Sequence, residues 1–157
     1  MSKLLIAVAV ALMLLIVLVS LRHKPDIAER KGTRASSDQR LDDLVRRLMN
    51  SKKEGAFLMV GVKGSGDFLQ MTGDSTGVQL DFPLITDRQQ SLESKIRKAV
   101  ADLNLTVTEN RGSDGSRFID IDVVGEPAQI SAVCRSLMEQ VFGASEASFR
   151  FEHDGLT

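Results

Sequence analysis

One cysteine, Cys134, and two histidines, His23 and His153, are all that the 157 residues provide of thiol and imidazole groups. A lone cysteine excludes a disulfide framework within the chain and any cysteine-based zinc or iron–sulfur site. Two histidines leave little for a histidine-built metal centre. Trp and Tyr are absent, so the seven Phe are the only aromatics. Charge of one sign is lacking too: 20 Lys and Arg stand against 21 Asp and Glu. Nucleic-acid binding needs clustered basic residues on which phosphates sit. The one short basic cluster of the C-terminal part, Lys95, Arg97 and Lys98, flanks Ile96 and reads as the solvated side of a helix. Hydrophobic residues make up 43% and charged residues 26%, which places the chain among neither the disordered nor the collagen-like classes.

The averages conceal one long apolar run. Leu4 to Leu21 reads LLIAVAVALMLLIVLVSL, with Ser20 its only polar residue. As a helix, 18 such residues span roughly 27 Å, close to the ~30 Å hydrocarbon core of a bilayer. Backbone polar groups in lipid must be satisfied within the segment, which selects the helix. A cleaved secretory signal fits less well. The run exceeds the usual h-region, Leu18-Val19-Ser20 puts a large residue where the cleavage site wants a small one, and no cysteine follows for lipid attachment. Residues 1–21 are therefore expected to form a transmembrane signal anchor, with the lipid bilayer as the partner of residues 4–21.

Residues 22–37, RHKPDIAERKGTRASS, have no apolar periodicity and contain Pro25 and Gly32, the pattern of a flexible linker. The basic residues Arg22, Lys24, Arg30, Lys31 and Arg34 outnumber two acidic ones, a net of +3, whereas residues 35–157 carry 14 basic and 19 acidic residues, a net of −5. A basic stalk thus joins the anchor to an acidic domain. Five basic residues after the run against Lys3 before it favour the cytoplasmic side for the domain, the alternative being the periplasmic or extracellular side.

Residues 38–157 read as one soluble α+β domain. Leu41, Leu44, Val45, Leu48 and Met49 make one helical face over residues 38–53. Three strands follow: the continuously apolar 56–62, then 67–72, then the cleanly alternating 78–82, which Pro83 is expected either to end or to confine to a sheet edge, 78–82 being the best candidate for an exposed edge. A second helix is expected to start near Asp87, with Asp87 and Gln90 at capping-box spacing. A hairpin of 105–109 and 117–124 comes next, then a helix from Pro127 to Phe142 closed by Gly143, then a short final strand over 147–152. The order α-β-β-β-α-β-β-α(-β) predicts a compact sandwich: a mostly antiparallel sheet with helices on one face. The order inferred over residues 38–142 resembles that of type III secretion chaperones and related chaperone-like domains, and this resemblance implies a protein-binding role.

Few residues invite a chemical reading. Asp120 and Asp122 share one strand face about 6–7 Å apart, and Glu126 follows. Such carboxylates suit a divalent cation or acid–base work, yet no ligand loop, nucleophile or oxyanion site accompanies them, and the plain alternative is a solvated outer sheet face. Gly64-Ser65-Gly66 precedes a strand rather than a helix N-terminus, and Arg111–Ser116 joins two strands, so both read as turns and not phosphate cradles. Cys134 falls on the apolar stripe of the last helix, where a buried thiol is inert. His153 sits in what reads as a polar tail. The reading that follows is a non-enzymatic interaction module on a membrane anchor, with no cofactor and no nucleic-acid partner, contacting a protein partner through Asp81, Asp120 and Asp122. The alternatives are a metal-dependent hydrolase using Asp120, Asp122 and Glu126, or a domain that senses a small ligand in an apolar pocket.

Overall fold

The structure is a computed structural model that describes residues 33–34 and 41–156. The expected anchor, residues 1–21, and most of the expected linker lie outside the described residues. No helix among the described residues is long and apolar enough to cross a membrane.

The elements run β1 (Thr33–Arg34), α1 (Leu41–Asn50), β2 (Phe57–Val62), β3 (Phe68–Gly73), β4 (Gly77–Pro83), α2 (Asp87–Ser91), α3 (Glu93–Asp102), β5 (Val107–Arg111), β6 (Arg117–Val124), α4 (Pro127–Phe142), a 3-10 turn (Glu146–Ser148) and β7 (Phe149–Asp154). The strands form one antiparallel sheet in the order β1-β7-β2-β3-β4-β6-β5. Six of them carry five to eight residues, and β1 is a two-residue addition at one edge that takes Thr33 and Arg34 out of the expected linker. The expected α+β class and antiparallel sheet are therefore present.

Tight turns link β2, β3 and β4 into a meander. A tight turn over residues 112–116 also joins β5 to β6, and the remaining connections contain helices. β4 and β5 run in the same direction with β6 between them, and α2 and α3 bridge them. β6 and β7 also run alike with β4, β3 and β2 between them, and α4 makes that crossing. Parallel-running strands need such long crossovers, whereas antiparallel neighbours do not.

One hydrophobic core explains which face the helices occupy. Leu58, Val60, Leu69, Met71, Val78, Leu80, Phe82, Ile119, Ile121, Phe149 and Phe151 alternate onto one sheet face. Against them lie the stripe of α1 (Leu41, Leu44, Val45, Leu48, Met49), that of α3 (Ile96, Ala99, Val100) and that of α4 (Ile130, Cys134, Leu137, Met138, Val141). α4 packs against both α1 and α3. Its end is set by Gly143 at φ 68°, whose N–H donates to Glu139 O at 2.8 Å while Ala144 N–H donates to Met138 O at 3.3 Å, the paired bonds of a left-handed helix cap.

Three expectations are corrected. β4 is not an edge: β3 pairs on one side and β6 on the other, and Pro83 is accommodated because it is the last residue of the strand. The edge at this end of the sheet is β5, because the hairpin turns back and inserts β6 beside β4. The capping box of α2 lies one residue earlier than expected. Thr86 Oγ1 accepts from Gln89 N–H and Gln89 Oε1 accepts from Thr86 N–H, since Thr86 holds the extended conformation of a cap. The final strand continues to Asp154 between β1 and β2, so His153 is not in a solvated tail. It faces the core and is only 6% exposed.

Candidate functional site

The helices leave the other sheet face uncovered among the described residues. Register determines what lies there. Gln70 stands opposite Asp81, Asp81 opposite Asp120, and Asp120 opposite Thr108, so one row crosses β3, β4, β6 and β5. In the adjacent row Thr72 stands opposite Gln79, and Gln79 opposite Asp122. Asp81, Asp120 and Asp122, drawn from two strands far apart in sequence, are thereby brought onto neighbouring positions of a single face.

The three carboxyls are not equivalent. Asp120 is 5% exposed, against the expectation of a solvated residue, because it sits on an inner strand with Asp81 opposite it on one side and Thr108 on the other. Burial raises its pKa, while hydrogen bonds from Asn110 and Asp81 oppose that rise. Asp81 is half-buried. Burial first, and the Asp120 charge second, push it up to about 7. Asp81 and Asp120 stand opposite each other across β4 and β6, so charging both carboxyls is costly and Asp81 holds its proton well above the usual carboxylate range. Asp81 Oδ1 is buried without a hydrogen-bond partner among the described residues. Asp122 is exposed and accepts from Gln79 Nε2 at 3.4 Å.

No described cation compensates this row. The nearest strand-borne one on the same face, Arg150 on β7, stands three strands from β4, roughly 14 Å away at ~4.8 Å per strand. It is already paired with Glu152 at 3.4 Å. Apolar side chains border the acids: Phe118 and Val124 along β6, Phe68 and Met59 on β3 and β2, with Val124 82% exposed. Beside Asp122 the face sinks into a shallow, open hollow of about 470 Å³ lined by Thr72, Thr76, Gly77, Gln79 and Val124.

Glu126 does not join the aspartates. It is exposed at the N-terminus of α4, where its N–H donates to Gln129 Oε1 at 3.0 Å. Among the described residues no three His, Cys, Asp or Glu gather closely enough to hold a metal ion. Cys134 is fully buried on α4, and burial pushes its thiol well up. Between sheet and helices, the gap beneath Phe82, Leu92, Ile96 and Phe142 measures about 10 Å³, which is at the lower bound for one water. Lys95, Arg97 and Lys98 lie on α3 as expected, with Arg97 bonded to Glu93 and Glu109 and Lys98 to Asp102. The basic stalk residues Arg22, Lys24, Arg30 and Lys31 lie outside the described residues, and of Arg34 only its place in β1 is described.

Sequence reasoning placed the three aspartates on outward strand positions. It missed Asn110, which holds Asp120, and Gln70, which faces Asp81. Their outward phase is readable from strand alternation, but their neighbours depend on register, which a single sequence does not print. No family model matches this chain, and comparison with curated proteins and with solved structures returned no match. The likeness to secretion chaperones therefore rests on element order alone.

Proposed function

We propose that this chain is a non-enzymatic protein-interaction module held at a membrane by residues 4–21, and that its bare sheet face receives a basic partner. One observation carries the reading. The face left bare by the described helices holds Asp81, Asp120 and Asp122 in adjacent rows, bordered by apolar side chains and without a neighbouring cation. An apolar patch crossed by uncompensated charge of one sign favours a protein surface of opposite charge. The anchor would supply the location, and the excess of basic residues after it favours the cytoplasmic side for the domain. Such a module serves as an assembly, accessory or chaperone-like subunit of a membrane complex.

A photo-crosslinking residue at Gln70, in the full chain in its own membranes, tests this. The expected result is an adduct with a Lys/Arg-rich polypeptide that disappears when Asp122→Lys is added. Adducts obtained from Lys98 on α3 but not from Gln70 overturn the proposed face. A phenotype lost in Asp120→Asn and Asp122→Asn alike, with fold and crosslinks intact, would instead favour the carboxyls as reacting groups.

A further inference from the structure

The edge strand β5 presents its backbone outward. Among the described residues it pairs only with β6. Gly112 N–H donates to Ser116 O at 2.8 Å, so even-numbered positions turn their peptide groups toward β6. By the alternation of an antiparallel ladder, Val107, Glu109 and Arg111 turn theirs to the open side. All of 108–111 are exposed. The charges on this edge are unevenly satisfied. Glu109 lies beside Arg97 and Arg117. Arg111 stands directly opposite Arg117, a like-charge cross-strand pair, and makes no ion pair among the described residues.

We propose that β5 pairs antiparallel with β5 of a second copy of this chain, about a two-fold axis through Asn110. Only registers that oppose outward-turned residues can form hydrogen bonds. Centring the pair on Glu109 sets two glutamates face to face. Centring it on Asn110 sets Glu109 against the second copy's Arg111, twice, with each of these pairs exchanging two backbone bonds. Arg111 then gains the acid it lacks, and the Glu109 carboxylate has lone pairs enough for Arg97, Arg117 and the new guanidinium. Centring the pair on Thr108 sets Glu109 against Val107 and leaves Arg111 opposite Leu105 with no acid, so the charge pattern selects the register on Asn110. A two-fold axis normal to the sheet keeps both acidic faces on the same side, so the dimer presents two Asp81–Asp120–Asp122 rows as one continuous surface. The inference does not rest on the partner reading above.

The test uses the full chain carrying Asn110→Cys. In the proposed register the two Asn110 positions form a non-hydrogen-bonded pair with Cα atoms about 4.5 Å apart, within disulfide range. Because Cys134 is buried, the new thiol is the one that oxidises. The expected result is a disulfide-linked dimer on mild oxidation in membranes and none from Thr108→Cys, which would face Gly112. Arg111→Glu should abolish the dimer of the otherwise unaltered chain in detergent, measured by light scattering. A chain that is monomeric in detergent and gives no Asn110→Cys disulfide in membranes overturns the proposal. So does crosslinking from Thr108→Cys as efficient as that from Asn110→Cys.

Discussion

At the scale of single residues, the Asp81–Asp120 pair makes stability depend on pH with a definite sign. Asp81 is raised from its ordinary 3.8 to about 7 in the folded chain, so the folded state holds the proton more tightly than the unfolded state. The stabilisation is whole below about pH 4 and is lost progressively as pH rises to about 7, by up to about tenfold in the folding constant per pH unit. Asp81→Asn mimics the protonated form and removes this slope. Urea unfolding of both proteins from about pH 4 to pH 8 checks it, because titrating groups away from the pair cancel in the difference; parallel curves would show that folding does not raise the pKa of Asp81. His153 contributes the opposite sign. Burial holds it below its ordinary value, with Arg47 adding to the effect, and its Nε2 has no described partner. Its share of stability is present above about pH 6.5 and lost as pH falls through the folded value. His153→Phe should reduce acid sensitivity in that range, and a thermal-melt series in acid that is unchanged from the parent chain would contradict this.

At the scale of elements, α4 is the piece on which the rest leans, since it spans from β6 to β7 and touches both other long helices. Leu137 is completely buried at its centre. Leu137→Ala is expected to cost about 2–5 kcal/mol in urea unfolding, the range for a deleted core side chain. Gly143→Ala, forced into a left-handed conformation, should cost about 1 kcal/mol by the same measurement. This helix was the most legible element in the sequence: Pro127 at its start, Gly143 at its end and the stripe between them all agree, and the structure gives the same bounds. Strand β6 was equally plain for its alternation. The edge was misread because proline argues only about the hydrogen bond it lacks. At the last residue of β4 that bond is not needed, and which hairpin inserts beside which strand is a long-range choice. His153 was misread for a related reason. A charged stretch, RFEHD over residues 150–154, reads as tail until its pairing with β2 shows that only alternate residues meet the core.

At the scale of the whole molecule, the described helices cover one face of the sheet and leave the other bare. The α+β class and the helix-covered face followed from periodicity. The acidic row was half legible: Asp120 and Asp122 lie on one strand, but Asp81 joins them only through the β4–β6 register. The most direct test of the central claim exploits the buried Cys134, which leaves an engineered thiol as the accessible one. Gln79→Cys on the open face and Lys98→Cys on α3 would be labelled with a membrane-impermeant maleimide, on opened membranes and again after purification in detergent. Gln79→Cys is expected to be protected in membranes and to become reactive on purification, while Lys98→Cys reacts alike in both. Equal labelling of Gln79→Cys in the two states would contradict it.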